Sequence, residues 1–444
     1  MRRLAIAIVM SLPLVAGGVF AQQRAGKDTV YEELNLFDEA FERIRQDAVD
    51  PVADAKLIGA AITGMLSGLD PHSSFMDEAQ LKASQAPAND EAEGIGLAVT
   101  IENGQLKVIS PQDGSPAARA GIRPGDVIFV IDKEPVYDLT LVEAEQKLRG
   151  PVGSEVELTL RRGAEKPIDV SIKREAYKLQ SVVGRLEAGN VGYLRIAGFD
   201  GGTQAALTGA VQDLRQRAGN KPIGFILDLR NNPGGSFEAA VAAADAFIDK
   251  GDIVVVKGRK PADTKRISAT PGDLAKGLPL VALVNGGTAR EAELVAGALQ
   301  DNHRAVLIGT KSFGESSIES VIPLGNGGAI RLTTARFTTP SGREIRGKGL
   351  EPDLAVTVLK LAKLAQGEMR READLPGALK NPDQAAKPPA EAPPGATATP
   401  APPEAPSVAT EDIGSASDEQ LIQAIDVLRG LSVFNRRAAE AGLK

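Results

Sequence analysis

The spacing of apolar residues changes twice along the chain, and this change limits the fold more than any other feature of the sequence. Residues 29–49 and 57–66 carry apolar side chains at the three- and four-residue spacing of amphipathic helices. Residues 93–177 alternate apolar and polar positions in short runs between glycine-rich turns, which indicates β-strands. From residue 192 to residue 353, strand-like and helix-like runs alternate, which is typical of a sheet covered by helices. The sequence therefore predicts an α+β protein of several domains.

Both ends of the chain differ from these blocks. Residues 1–21 combine a basic start, an apolar run and a small-residue close at Ala21, which predicts a secretory signal peptide cut after Ala21. An uncleaved membrane anchor is the alternative, but the run is short for a span. Residues 381–410 are rich in proline and alanine and predict a disordered linker. Residues 411–444 then carry one apolar helical stripe, which needs a partner surface.

Composition restricts the location and the partners that we expect. The formal net charge of −7 argues against nucleic acid or an anionic membrane as a partner. The chain has no cysteine, so disulfides are excluded, and we expect a periplasmic location for the exported protein. Of its two histidines, His72 is expected to cap or pack the turn at residues 70–77, and His303 to be a lone loop residue. We expect neither a metal nor a cofactor, because one carboxylate next to His72 in the sequence does not make a coordination set.

A glycine-rich motif lies within the predicted β-strands. Residues 114–128 read GSPAARAGIRPGDVI, in which a short helix, a glycine stop and a Pro-Gly-Asp turn precede an apolar strand. This combination resembles a PDZ domain, which we place at residues 86–176. The resemblance implies that a peptide adds to a sheet edge and that its terminal carboxylate binds backbone N–H groups. The candidate loop is formed by Gly94, Ile95, Gly96 and Leu97; the alternative is that its glycines only make a turn.

Several other motifs resemble those of carboxyl-terminal processing peptidases. They read LDPHSSFMD at 69–77, LDLRNNPGG at 227–235 and GTKSFG at 309–314. The resemblance implies an N-terminal helical region at 22–85, a ClpP/crotonase-like α/β core at 177–358 and an extension at 359–380. In that family a lysine activates a serine, a glutamine orients the lysine, and two backbone N–H groups form the oxyanion hole. The hole is implied at Gly234 or Gly235 and at Glu291.

The residues that the family uses for catalysis are replaced in this sequence. The nucleophile motif reads NGGTAREAE at 285–293 and places Arg290 at the serine, while FGESSIE at 313–319 places Glu315 at the lysine and Glu319 at the glutamine. A guanidinium stays protonated and has no hydroxyl, so we expect an inactive homologue. We also expect an ion pair between Arg290 and Glu315, the alternative being two solvated charges. If the pair is buried, Glu319 and Glu291 are the candidates that satisfy its other donors. Reversion of the replaced dyad is expected to restore cleavage.

Two alternatives to an inactive, tail-binding protein stay open. In the first, Thr288 or Ser316 would act as the nucleophile of a working endopeptidase. Hydroxyls at such positions usually bond the backbone, however, and we expect the same of Ser312 and Ser317. A structural relic that neither binds nor cleaves is the second alternative. For the tail-binding protein, the expected partners are unstructured protein C-terminal tails. Homo-oligomers, or hetero-oligomers with an active paralogue, would form through the terminal helices.

Overall fold

The computed structural model describes residues 17–84, 91–137, 139–219, 221–357, 412–415 and 417–440. These residues form an N-terminal helical region, a β-domain, an α/β domain and a last helix, so the predicted α+β organisation is confirmed. Most of the predicted signal peptide, the extension at 359–380 and the linker at 381–410 lie outside the described residues. Within the described part of the chain, no helix combines the length and the apolar character that a membrane crossing requires.

The N-terminal region is mainly helical. Its first helix begins at Gly17, earlier than the start at residue 29 that the apolar spacing predicted. The second helix packs on a short strand. Between these two, the Asp70 carboxylate accepts hydrogen bonds from the backbone N–H groups of His72 and Ser73, at 2.9 and 2.8 Å, and fixes the turn. The elements of this region are α1 (Gly17–Asp47), α2 (Asp54–Ser67), β1 (Ser74–Met76) and α3 (Glu78–Ser84).

The β-domain, residues 91–178, is a small antiparallel sheet with its own core. Its strands bury alternate residues, as in the run Val156, Leu158 and Leu160, because successive side chains point to opposite faces of a sheet. The main sheet has the order β3-β4-β5-β7-β8, with β6 on β5, and β2 pairs with β9. The elements are β2 (Glu91–Gly94), β3 (Leu97–Glu102), β4 (Gln105–Pro111), α4 (Pro116–Arg119), β5 (Val127–Ile131), β6 (Glu134–Pro135), α5 (Leu141–Leu148), β7 (Glu155–Arg161), β8 (Ile168–Lys173) and β9 (Glu175–Lys178).

The α/β domain, residues 182–356, contains two sheets. The larger has the order β10-β11-β12-β15-β16-β19 and is parallel except for β10; the second has the order β1-β18-β13-β14, with β17 on β18. Both faces of the parallel strands are covered, which explains their continuous apolar runs. The elements are β10 (Val182–Glu187), β11 (Val191–Ile196), α6 (Thr203–Arg217), β12 (Gly224–Asp228), α7 (Phe237–Asp245), β13 (Asp252–Gly258), a 3-10 turn (Pro261–Asp263), β14 (Lys265–Ser268), β15 (Leu280–Val284), α8 (Glu291–Asp301), β16 (Val306–Gly309), β17 (Ser317–Pro323), β18 (Ala329–Thr338) and β19 (Leu354–Ala355).

The last helix, α9 (Glu419–Glu440), covers one face of the larger sheet. Its buried residues Leu421 and Leu428 pack with Tyr193 and Ile226 of the sheet. The apolar stripe predicted at residues 411–444 therefore has a partner surface within the same chain, although Phe434 near the end of the helix is exposed.

Buried polar contacts join the β-domain to the α/β domain. The Arg195 guanidinium donates to both carboxylate oxygens of Asp113 at 2.8 Å, in the bidentate geometry that makes such pairs strong. The Ser110 hydroxyl donates to the Asn231 carbonyl at 3.0 Å. These contacts hold the β-domain against the turn that follows β12, beside the residues considered next.

Candidate active site

Arg290 lies at the start of α8 with an unusual backbone. Its φ of 52° is in the left-handed region, which residues with a Cβ rarely adopt, and it forms the N-cap of the helix. Such conformations are concentrated at functional sites. The preceding loop is held by Thr288, whose hydroxyl donates to the Leu229 carbonyl at 2.8 Å and accepts from the Asn285 N–H at 3.0 Å. The loop thus presents residue 290 in a fixed position.

Three carboxylates surround the Arg290 guanidinium. Its Nε lies 3.6 Å from Glu315 Oε1 and 3.8 Å from Glu291 Oε2, and its NH2 group donates to Glu319 at 3.0 Å. The predicted pairing with Glu315 is confirmed, but Glu319 makes the shorter contact. Burial opposes the charge on Arg290, whereas the neighbouring carboxylates stabilise it and the pKa of Arg290 is raised. The side chain keeps 34% of its surface exposed, so it forms the outer boundary of the cluster.

The Glu291 carboxylate occupies the position implied for the oxyanion hole. Its Oε2 accepts a hydrogen bond from the Gly235 N–H at 3.0 Å, and the carboxylate also interacts with its own backbone N–H. The Gly234 N–H does not donate to this carboxylate, because it donates to the Asn232 side-chain oxygen at 2.9 Å. Burial raises the pKa of Glu291, while Arg290 and the two N–H groups act against that shift. The sequence predicted the backbone role of Glu291 and the contact of its side chain with Arg290, but not the contact of that side chain with Gly235.

Glu293, fully buried one turn into α8, holds the loop that carries Glu315. Its carboxylate accepts hydrogen bonds from the Ser312 hydroxyl and from the backbone N–H groups of Gly314 and Glu315, both at 2.8 Å. Burial raises the pKa of Glu293 to about 8, and these hydrogen bonds only partly counteract it. Sequence reasoning did not assign a role to this residue.

The raised pKa of Glu293 predicts a loss of stability as pH rises. The folded state keeps a proton on Glu293 that the unfolded chain, with its usual pKa of 4.5, releases. The contribution is therefore full below pH 4.5 and lost as pH rises to about 8, by an amount on the order of a few kcal/mol. Urea unfolding at several pH values should show this decline, and Glu293→Gln should remove it. The exposed Glu351→Gln is the control and should leave the pH dependence unchanged; an identical decline in Glu293→Gln would contradict the assignment.

The hydroxyls considered as alternative nucleophiles differ in their surroundings. Thr288 is fully buried and its hydroxyl bonds the backbone. Ser316 is buried too, and its hydroxyl has no hydrogen-bond partner among the described residues, so no base there takes its proton. Ser317 donates to Glu319 at 2.7 Å. Lys311 pairs with Glu351 at 2.9 Å on the surface.

His72 lies at this site, whereas His303 is exposed elsewhere. The His72 Nε2 is 3.5 Å from Glu315 Oε1. The predicted packing role of His72 in its own turn is therefore incomplete, because Asp70 organises that turn and the imidazole reaches the site. A cavity of about 520 Å³ is lined by His72, Glu315 and Ser316.

The predicted glycine loop borders a groove of about 550 Å³ in the β-domain. Gly94, Ile95, Gly96 and Leu97 line it, together with Glu145 of α5. Gly96 has a φ of 69°, and a Cβ there would lie 2.3 Å from the Cβ of Ser115. The loop thus requires glycine at 96 for close packing as well as for its backbone. Glu145 is also one of the carboxylates that raise the pKa of Arg290, after Glu291, Glu315 and Glu319.

Comparison with known proteins agrees with the fold. Residues 190–356 match peptidase family S41, residues 107–162 match the PDZ domain, and residues 16–80 match the N-terminal domain of the activating protease CtpB. A carboxy-terminal-processing protease of Bartonella bacilliformis is 45% identical over 332 residues, which cover 74% of this chain and 76% of that protein. The carboxy-terminal processing protease CtpA of Bacillus subtilis is 34% identical over 338 residues, 76% of this chain and 71% of that protein.

Among solved structures, the photosystem II D1 C-terminal processing protease superposes with a TM-score of 0.62 at 30% identity. The match covers 72% of this chain and 92% of that one. The helical start, the PDZ domain and the α/β core thus occur in the same order as in the sequence prediction. The chain belongs to the carboxyl-terminal processing peptidases of family S41 and contains a PDZ domain.

Proposed function

We propose that this chain is a non-hydrolytic member of its family that binds the C-terminal tails of unfolded proteins and regulates or scaffolds proteolysis in the periplasm. One observation is the main support for the proposed loss of hydrolysis. Arg290 stands where the nucleophilic serine is expected, and the carboxylate of the next residue, Glu291, lies on the Gly235 N–H and on its own N–H. The position that would stabilise a tetrahedral intermediate already holds a negative group.

The electrostatics of this arrangement oppose acyl transfer at each step. Arg290 offers no hydroxyl to attack a peptide bond, and Glu315 provides no neutral amine in the place of the lysine. A developing oxyanion would have to displace the Glu291 carboxylate from the two N–H groups that are the hole's donors. Residual cleavage through Thr288 or Ser316 is the second candidate function. It is not favoured, because Thr288 bonds the backbone and Ser316 has no base in contact within the described chain.

Tail binding is supported by the PDZ groove. Gly94 and Gly96 have positive φ, a backbone conformation that occurs in loops whose N–H groups bind anions, and residues 94–97 line the groove. The β-domain that carries the groove contacts the α/β domain through Asp113 and Ser110, so a protein whose tail is bound in the groove is held on the same chain as a site that does not cut it. Location in the periplasm rests on the leader-like sequence at residues 1–21, and assembly with an active paralogue rests on apolar residues that α1 exposes, such as Leu34 and Phe37.

A peptide with a free terminal carboxylate is expected to bind at least about 10-fold more tightly than its amidated form, because amidation removes the charge that the loop N–H groups recognise. Fluorescence polarisation of a labelled peptide measures both affinities. Gly96→Ala should weaken binding to a similar extent, since its Cβ would collide with Ser115.

Gly104→Ala is the matched control for this experiment. Gly104 has a similar φ of 75° in the β3–β4 turn, but a Cβ there meets no atom within 4 Å. It should therefore cause the same backbone strain without changing the groove. Equal affinity for the free and amidated peptides would identify the chain as a relic that does not recognise tails. Cleavage of an unfolded protein by the wild type, abolished by Thr288→Ala or Ser316→Ala, would identify a working peptidase.

A further inference from the structure

We propose that His72, Glu315 and Glu319 form a binding site for a divalent metal ion of the zinc type. One ligand atom from each of the three side chains lies within 4.8 Å of the other two. The imidazole Nε2 and Glu315 Oε1 are 3.5 Å apart, and all three side chains are mostly buried, with exposed fractions of 16%, 6% and 13%. This inference goes beyond tail binding and does not depend on it.

The chemistry of the three donors suits zinc with an open coordination position. Neutral imidazole and carboxylate oxygens are ordinary zinc ligands, and three protein ligands leave a fourth position for water or another small ligand. Ligand atoms around one zinc ion lie roughly 3.3 Å apart at its bond lengths of about 2 Å. His72 and Glu315 already have nearly this spacing. A shift of the Glu319 side chain by about 1 to 2 Å would complete the set.

A second, independent observation points to a missing ligand. Glu315 is only 5% exposed, and its Oε2 has no hydrogen-bond partner among the described residues. A buried carboxylate oxygen without a partner is costly, and proteins normally satisfy such atoms. Glu315 and His72 both line the cavity of about 520 Å³, and Oε1 of the same carboxylate lies 3.5 Å from the imidazole, so an ion bound by both carboxylate oxygens would also contact the imidazole. A cation there would supply the interaction that the Glu315 oxygen lacks.

The charges around the site also favour a bound cation. Three carboxylates, those of Glu291, Glu315 and Glu319, face the single guanidinium of Arg290. Among the described residues, the Arg290 Nε makes no hydrogen bond and only ion pairs of 3.6 and 3.8 Å with Glu315 and Glu291, so the guanidinium gives the Glu315 carboxylate no hydrogen bond. The sequence predicted no metal because it showed His72 beside a single carboxylate. The fold overturns that reason, because it brings Glu315 and Glu319 to His72 from a distant part of the chain.

Arg290 competes with the ion for the same carboxylates. To admit a metal, the guanidinium would leave Glu315 and Glu319 and turn toward solvent, which its exposed fraction of 34% permits. Removing this positive charge is therefore expected to strengthen metal binding by at least about 10-fold, because like charges close to a site raise the cost of binding a cation.

The test is Zn²⁺ and Co²⁺ binding to the tag-free mature chain, measured by isothermal titration and by the visible absorption of Co²⁺. We expect one ion per chain, with binding weakened at least about 10-fold in His72→Ala and in Glu315→Gln, since each variant removes a ligand. His303→Asn is the control, because it removes the only other histidine from an exposed position and should not change affinity. The absence of cysteine makes an altered Co²⁺ spectrum specific to imidazole and carboxylate ligands.

Three outcomes would overturn the proposal. They are no Zn²⁺ binding to the wild type at 100 μM protein and equimolar or higher metal, unchanged affinity in His72→Ala, and weaker binding in Arg290→Gln. Circular dichroism establishes that each variant is folded before titration, and Glu319→Gln replaces any variant that is not. Peptide polarisation without metal reports tail binding separately, so a failed metal site and a failed tail-binding function give different results.

Discussion

A variant with four substitutions, Arg290→Ser, Glu291→Ala, Glu315→Lys and Glu319→Gln, is expected to cleave an unfolded protein that the wild type leaves intact. The first and third changes restore the hydroxyl and the amine, and the fourth restores the amide that orients the amine. Glu291→Ala is needed because the Glu291 carboxylate lies on the two N–H groups that would stabilise the oxyanion. Gel electrophoresis of an unfolded substrate with a free C-terminus measures the cleavage rate.

The matched comparison is the triple variant that keeps Glu291. It should be slower by roughly 100- to 1000-fold, the usual effect of losing a donor of the oxyanion hole. This comparison extends the expectation from the sequence, in which restoring the replaced dyad alone was sufficient. Equal rates for the triple and quadruple variants would show that the Glu291 side chain leaves the hole easily. No cleavage by the quadruple variant, with its fold intact, would mean that the scaffold has lost more than its reacting groups.

The sequence predicted the positions of the replaced residues but only part of their geometry. Motif spacing predicted that Arg290 and Glu315 would meet, and Arg290 contacts both Glu315 and Glu319 in the structure. It did not predict that the Glu291 side chain would fold back onto Gly235. That direction depends on the turn after β12, which comes from a distant segment. The adjacent acidic residues at 291 and 293 were the only signal in the sequence.

Local sequence patterns predicted the domains, but they did not predict contacts between segments that are far apart in the chain. Alternation of apolar residues predicts a strand wherever one face is buried, so the β-domain followed from the sequence. The contact of His72 with Glu315 and the packing of α9 join segments far apart in the chain. No spacing rule relates such segments, because a linker can place a helix on any surface within reach. The apolar stripe of α9 predicted that it needed a partner, but not that the partner was the parallel sheet.

Asp418→Ala is expected to destabilise the protein by up to about 5 kcal/mol, the upper end of the effect of removing one partner of a buried ion pair. Asp418 precedes α9, and both of its carboxylate oxygens accept from the fully buried Arg230, at 2.8 and 2.6 Å. Oδ1 also accepts from the Leu421 N–H at 3.1 Å and thereby caps the helix. The substitution removes the ion pair and the cap together, although Asp228 still pairs with Arg230. Urea unfolding followed by circular dichroism measures the change.

Asp426→Ala is the matched control on the same helix. Asp426 pairs with Arg429 at 3.6 Å, both side chains are more than half exposed, and such surface pairs contribute at most about 1 kcal/mol. A small effect at 426 with a large one at 418 would show that α9 stabilises the core through its buried end. Equal, small effects would mean that Arg230 remains satisfied without the helix. Tyr193 packs against α9, and its hydroxyl donates to Asp228. A large effect at 418 should therefore be accompanied by greater exposure of Tyr193, measurable as a change in the tyrosine fluorescence of the protein.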